Sequence, residues 1–227
     1  MRVDVAFTPA ETIRVPIAIV VDVLRATSTI VQALDAGYRR VFCCAEVEEA
    51  RALREDLIGV VLAGERGAQA IPGFDLGNSP SEFVRPLGEQ LVLTTTNGTR
   101  AVVTTAVGCE AVLIGSLLNL NAVTAAAAEL AGDATVVCAG VDGVFTLDDA
   151  YCAGRIVQAL GGKRTDAAEA AVRVADSFPT AEEGLRAAQN PRQEGLDEDI
   201  AWCAQENVSA VVPRFLGMRG AAAEVGL

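Results

Sequence analysis

Chemistry in this chain can reside in four stretches, each placing charged or hydroxyl side chains beside a strand-to-helix turn. The first is Asp22-Val23-Leu24-Arg25-Ala26-Thr27-Ser28-Thr29, where a carboxylate ends an apolar run and Arg25 and three hydroxyls lead into a helix. A helix N-terminus offers unpaired N–H groups and a positive dipole end, which suits a phosphate or sulfonate; ordinary capping by Thr27 or Ser28 would explain the hydroxyls but not Asp22 and Arg25. The second runs from Gly64 to Pro80, 17 residues with four glycines and two prolines, and carries Glu65, Arg66, Asp75, Asn78 and Ser79. A connection that long is expected to serve a function, its glycines letting backbone approach a ligand. The third, Thr94-Thr95-Thr96-Asn97-Gly98-Thr99-Arg100, crowds hydroxyls, an amide and a guanidinium onto one turn. Its Asn-Gly pair favours positive φ and an inward-facing anion nest. The fourth, Cys138-Ala139-Gly140 followed by Thr146-Leu147-Asp148-Asp149, ends in two aspartates that complement a helix dipole and of which Asp149 is also a candidate ligand.

Carboxylates on Asp22, Glu65, Asp75 and Asp149, with guanidinium groups on Arg25, Arg66 and Arg100, suit a hard cation and an oxyanion. Mg²⁺ takes oxygen ligands and keeps some of its waters, so it needs no imidazole. Arginine binds phosphate and sulfonate oxygens through paired N–H donors. Together they point to Mg²⁺-assisted phosphoryl chemistry on a small anion. The absences agree. There is no histidine, which removes Ser-His-Asp triads, phosphohistidine chemistry and His-ligated zinc or iron. The one lysine, Lys163, does not close a phosphate-binding Gly-rich loop of the Gly-Lys-Ser/Thr kind. None of the six cysteines is followed six residues on by the arginine of a tyrosine-phosphatase loop, and none forms Cys-x-x-Cys. A net charge of −12 disfavours nucleic acid.

The elements that must carry these turns read as an alternation of short apolar runs and helices. Strands are expected at 17–21, 40–44, 59–63, 91–94, 111–114 and 134–138, and helices at 27–36, 47–57, 99–107, 121–131 and 147–160. That pattern predicts a three-layer α/β/α fold around a mostly parallel or mixed sheet, with ligands at the carboxyl ends of its strands. The segment from residue 20 to 42 matches that from 92 to 113 at an offset of about 71 residues, which reads either as two related βαβ halves or as the ordinary likeness of any two such units. Beyond Gly162 the chain is polar and helical to residue 189, broken at Ser177–Thr180, with a turn at Asn190-Pro191, an acidic helix at 196–205, an edge strand at 208–213 and a fraying tail past Gly217. One domain over 1–227 is expected, with sub-lobes 1–90 and 91–227 as a further division. Buried, reduced thiols, the absence of a signal peptide and the lack of any 18-residue apolar run predict a cytoplasmic protein that does not cross a membrane.

The motifs Asp22 to Thr29, Gly64-Glu65-Arg66-Gly67, Pro72 to Pro80, Thr94 to Arg100 and Cys138-Ala139-Gly140, in that order, closely resemble the 2-phosphosulfolactate phosphatase (ComB) family; Gly195 to Asp199, Cys203-Ala204-Gln205 and Val211-Val212-Pro213 are similar more loosely. The resemblance implies an α/β/α fold and Mg²⁺-dependent hydrolysis of 2-phospho-3-sulfolactate to 3-sulfolactate and phosphate, a step toward coenzyme M. The sequence departs from the family near Asn190–Glu194, where a His-Gly-Arg-Arg-Leu-like stretch is expected. If that stretch binds the sulfonate, another 2-hydroxy-acid phosphate is the alternative substrate.

The expected site follows. Asp22, Arg25, Glu65 and Arg66 act in catalysis, and Asp22 is the first-choice Mg²⁺ ligand, with Glu65, Asp75 and Asp149 as further candidates. Thr27, Ser28, Thr29, Asn78, Ser79, Thr96, Asn97, Gly98, Thr99 and Arg100 hold the substrate. Water attack on phosphorus is expected rather than an aspartyl-phosphate, because Asp22 lacks a following Asp-x-Asp partner. The expected partner is a small anionic phosphate ester, with no nucleic acid or membrane and with homo-oligomerisation left open. The rival reading is a sensor or carrier of small organophosphates, which would need the anion-binding turns but not the carboxylates.

Overall fold

The structure, a computed structural model, describes residues 1–9, 13–189 and 195–227. Runs of Val, Ile and Leu form β2 (Ile17–Val21), β3 (Arg40–Cys44), β4 (Val60–Arg66), β6 (Gln90–Thr94), β7 (Ala111–Ile114) and β8 (Ala134–Cys138), each preceding or following a helix. The helices are α1 (Ala26–Asp35), α2 (Val47–Asp56), α3 (Gly98–Ala106), α4 (Leu120–Glu129) and α5 (Leu147–Leu160), then α6 (Asp166–Asp176), α7 (Ala181–Arg186) and α8 (Asp197–Cys203). Short strands β1 (Arg2–Ala6), β5 (Gln69–Ala70) and β9 (Lys163–Arg164) and a C-terminal hairpin, β10 (Arg214–Arg219) and β11 (Ala222–Gly226), complete an 11-stranded sheet in the order β5-β4-β6-β3-β11-β10-β7-β2-β8-β1-β9.

Two parallel flanks meet at that hairpin. Strands β7, β2, β8, β1 and β9 are parallel to one another, as are β3, β6 and β4. The hairpin runs antiparallel to its neighbours on both sides, β10 to β7 and β11 to β3, so the flanks point in opposite directions along the ladder. The units β2–α1–β3 and β6–α3–β7 exchange partners across it: β2 lies beside β7 and β3 beside β6. A single register pair, Arg214 with Leu113, joins β10 to β7. The turns that follow β2 and β6 nonetheless meet, with Asp22 after the one and Thr96 and Asn97 after the other lining the same cleft.

Alternation along each strand builds the three layers. Ile17, Ile19 and Val21 pack under α4, α5 and α6 with Val123, Ile156 and Ala171. Ala18 and Val20 face the other way, onto Ile30 and Leu34 of α1 and Val102 of α3. On the far flank Phe42 and Cys44 pack with Ala50 of α2. All six cysteines carry free thiols, and five are buried. Burial lifts the Cys44 and Cys203 thiols to about 12, so neither is a nucleophile at neutral pH.

Three expectations change. Residues 208–213 form no strand. They run alongside the β7–α4 connection, with Ser209 N–H donating to Leu118 O (2.9 Å) and Asn119 Nδ2 to Val211 O (3.0 Å). Pro213 has no N–H to give a ladder, and the strand begins just after it. The stretch past Gly217 is not a fraying tail but half of the hairpin that joins the flanks, turned at Gly220 (φ 60°) and bulged between Phe215 and Gly217. Gly64–Pro80 is not irregular throughout: β4 continues to Arg66 and turns back into β5 through Gly67 and Ala68, both at positive φ (60° and 65°), as a two-residue hairpin demands. The Asn190-Pro191 turn and the family-divergent stretch Asn190–Glu194 lie outside the described residues. Because β11 is sandwiched between β3 and β10, its amides are expected to exchange with deuterium as slowly as those of β2 in exchange mass spectrometry; a fraying terminus would exchange within seconds.

Candidate active site

The carboxyl ends of β2, β4, β6 and β8 open into one cleft lined by Asp22, Arg25, Glu65, Ala68, Asn78, Thr96, Asn97, Gly140, Asp148, Asp149 and Leu196, among others. Three sequence segments that were expected to converge, around Asp22, Glu65 and Asn97, therefore do so.

Each side chain is fixed by its own turn. After β2 the chain folds back so that Thr27 Oγ1 donates to Asp22 O (2.9 Å) and accepts from Asp22 N–H (3.1 Å). This lock presents the buried Asp22 carboxylate to the cleft beside the first residue of α1, Ala26, whose N–H donates to it. Glu65, at the end of β4, accepts the Thr96 N–H on Oε1 (2.7 Å) and the Ala68 N–H on Oε2 (2.7 Å). It thereby ties the β4–β5 turn to the β6–α3 turn. Ala68 at φ 65° is an unfavourable backbone for a residue with a Cβ, held here by Glu65 and by its carbonyl's contact with Arg25 Nη2 (3.4 Å). Asp149, in the first turn of α5, accepts Val23 N–H on Oδ1 and Gly140 N–H on Oδ2, both at 2.9 Å. It joins the ends of β2 and β8. Gly98 opens α3 directly against Asp22: a Cβ there would lie 2.3 Å from Asp22 Oδ2.

Several residues expected in the site serve its framework instead. Ser28 Oγ donates to Val23 O (2.8 Å) and Thr29 Oγ1 to Asn78 O (2.8 Å), so with Thr27 the three hydroxyls shape the turn rather than line the cleft. Thr99 and Thr95 exchange side-chain-to-backbone hydrogen bonds (2.9 and 3.1 Å) that cap the start of α3. Arg66 spends its guanidinium on Glu65 O, Ala45 O and Thr94 Oγ1. Arg100 is exposed and pairs with Glu46 (2.8 Å). Asp75 accepts Leu62 N–H (2.8 Å), pairs with Arg54 (3.3 Å) and lies off the cleft. Ser79 lies behind Asn78, its Oγ donating to Asp199. The cleft also holds a residue not singled out as a candidate, Asp148, whose neighbour in sequence was; a second, Asp199, stands just behind it on Arg25 (2.7 Å).

The cleft is electrostatically one-sided, with Asp22, Glu65, Asp148 and Asp149 facing Arg25. Burial, then the nearby Asp148 and Glu65 carboxylates, pushes Asp22 up to about 7, against the pull of the Ala26 N–H and Arg25. Burial, with Asp148 and Asp22 beside it, likewise pushes Asp149 well up, opposed by its two N–H donors. The carboxyl and amide oxygens of this cleft are the hard donors that Mg²⁺ takes. Among the described residues no three carboxylate or thiol side chains converge as a metal cage, and Mg²⁺ uses one or two carboxylates, keeping waters and substrate oxygens. The buried Oδ1 of Asn78 has no hydrogen-bond donor, as an oxygen awaiting a cation or a ligand hydrogen would.

Fold and cleft together define an α/β protein that gathers four carboxylates and one arginine at its strand ends. Residues 5–217 match the 2-phosphosulpholactate phosphatase family. A 2-phosphosulfolactate phosphatase of Methanothermobacter thermautotrophicus is 39% identical over 202 residues, 88% of this chain and 86% of its own. Probable 2-phosphosulfolactate phosphatases of Thermus thermophilus (39% identical, 98% of each chain) and Deinococcus radiodurans (39%, 88% of each) are similar. The chain therefore belongs to the 2-phosphosulpholactate phosphatase family, which places it among phosphoric monoester hydrolases.

Proposed function

We propose that this protein hydrolyses 2-phospho-3-sulfolactate to 3-sulfolactate and phosphate in a Mg²⁺-dependent step of the coenzyme M type. The observation that carries the reading is the cleft itself: four carboxylates against one arginine, in a chain of this family. Asp22 and the Asn78 amide oxygen would hold the ion, which supplies charge neutralisation at the phosphate and an acidified water. Arg25 donates to the phosphate oxygens and keeps the group oriented. Asp148, beside Asp22, takes the proton of the water that attacks phosphorus opposite the ester oxygen. The P–O ester bond breaks with its electron pair going to the sulfolactate oxygen, which takes a proton from solvent water, while Asp148 returns its proton to solvent. Glu65 and Asp149, each bonded through both oxygens to backbone N–H groups, hold the walls at fixed spacing. Among the described residues no helix is long and apolar enough to cross a membrane, and six free thiols suit the reducing cytoplasm we propose for it.

The test is phosphate release from 2-phospho-3-sulfolactate and from 2-phospholactate, which lacks the sulfonate, with Mg²⁺ or with EDTA. Release that depends on Mg²⁺, with kcat/KM at least about tenfold higher for the sulfonate, is expected. Equal rates would move the substrate to another 2-hydroxy-acid phosphate. Tight binding of both without release would replace the enzyme reading with that of a carrier.

A further inference from the structure

Arg25 stands in a cleft with four carboxylates, yet its shortest bond goes to a fifth. Nη1 donates to Asp199 Oδ2 at 2.7 Å, and both side chains are more than 90% buried. The other Asp199 oxygen accepts from Ser79 Oγ, next to the cleft residue Asn78. The first turn of α8 is acidic, and dipole complementarity alone would account for the exposed Asp197 and Glu198. It does not account for a buried Asp199 that grips two cleft-forming segments, β2–α1 and the stretch before the 3₁₀ turn at Pro80–Phe83. Ile200 and Cys203 already bury one face of α8, and a buried ion pair is a poor way to add stability. Its value here is geometric. Besides Asp199, Arg25 touches Ala68 O, and its remaining N–H groups have no protein partner among the described residues. Held from behind, the guanidinium keeps those donors for a ligand instead of collapsing onto Asp22 or Glu65.

We propose that Asp199 is a positioning residue that holds the Arg25 guanidinium in the orientation that binds the substrate's phosphate; this rests on the phosphatase reading of the cleft. Asp199→Asn, Asp199→Glu, Arg25→Ala and the double variant Arg25→Ala/Asp199→Asn would be compared with the unaltered protein. Steady-state kinetics on 2-phospho-3-sulfolactate and calorimetric binding of inorganic phosphate supply the readouts. Asp199→Asn is expected to lower kcat/KM about 10- to 100-fold and to weaken phosphate binding by a similar factor, with Asp199→Glu recovering part of both. In the Arg25→Ala background the same substitution should change phosphate affinity less than about threefold, because the group it positions is gone. An equal loss in both backgrounds, or unchanged kinetics and phosphate affinity in Asp199→Asn, overturns the proposal. If Asp199→Asn does not fold, Asp199→Glu decides: it must shift phosphate affinity in the presence of Arg25 and not in its absence. An unaltered protein that releases no phosphate from the ester, but binds inorganic phosphate in this Arg25- and Asp199-dependent way, would sink the substrate assignment and leave the positioning role standing.

Discussion

Asp22→Asn is expected to abolish turnover, by about a thousandfold or more, while making the metal-free protein more stable at pH 8. The two effects share a cause. Asp22 is 9% exposed and crowded by Asp148 and Glu65, so its carboxyl titrates at about 7 in the fold against an ordinary 3.8. A carboxyl whose folded pKa is raised favours the folded state when protonated. Its contribution is therefore complete below about pH 4 and is lost as pH rises through 7. At pH 8 the ionised group costs up to about 4 kcal/mol. Asparagine keeps the shape and an oxygen for the Ala26 N–H without the charge. The melting temperature of the metal-free variant should therefore exceed that of the unaltered protein by about 5–10 °C at pH 8 and match it near pH 4. Adding Mg²⁺ should raise the melting temperature of the unaltered protein and not that of the variant, closing the gap. Thermal unfolding at the two pH values, with and without the ion, checks all three. A variant no more stable at pH 8 than at pH 4, relative to the parent, would mean that Asp22 is not a crowded acid. Near-normal phosphate release would remove it from the chemistry.

The sequence makes the strand-turn-helix units legible because each is local: a buried β-branched run, a polar turn, a helix stopped by glycine. Ile17–Val21, Arg40–Cys44 and Leu147–Leu160 stand where their patterns put them. The order of strands is a different matter. Nothing in Arg214–Gly226 marks it as the seam between two opposed flanks, since its partners lie over 100 residues away in β7 and over 170 away in β3. Gly220 between two short runs was the one available hint. The same limit divides the site. Asp22, Glu65 and Asn97 could be placed at strand ends, where ligands gather. Which hydroxyls face the ligand could not, because Thr27, Ser28 and Thr99 are as apt for locking a turn as for binding an anion, and the fold uses them for the former. Asp199 was hidden for the reason it matters: its partner Arg25 is 174 residues away, and locally it looks like one more acid in a helix's first turn.

The second large effect is expected from a methyl group. Gly98→Ala puts a Cβ 2.3 Å from Asp22 Oδ2 and 2.4 Å from the Ala26 Cβ, distances at which something must move. Neither neighbour can yield by rotating a long side chain: Ala26 has only its methyl, at the first position of α1, and Asp22 is held by the Thr27 lock on its backbone. Either α3 withdraws from α1, or the Asp22 carboxylate turns away from the cleft. Helix propensity favours alanine over glycine by about 1 kcal/mol, and overpacking of this kind costs about 1–3 kcal/mol, so the net loss of stability should be modest. The loss of activity should not be, since a displacement of about 1 Å at a reacting group costs around 100-fold. The Gly98→Ala/Ala26→Gly double variant separates the two contacts. It relieves the methyl-to-methyl clash and leaves the one with the carboxylate, so the melting temperature should return toward that of the unaltered protein while phosphate release stays at least about 100-fold down. Recovery of both together would show that Gly98 matters for helix spacing alone, and that the Asp22 carboxylate tolerates a displaced neighbour.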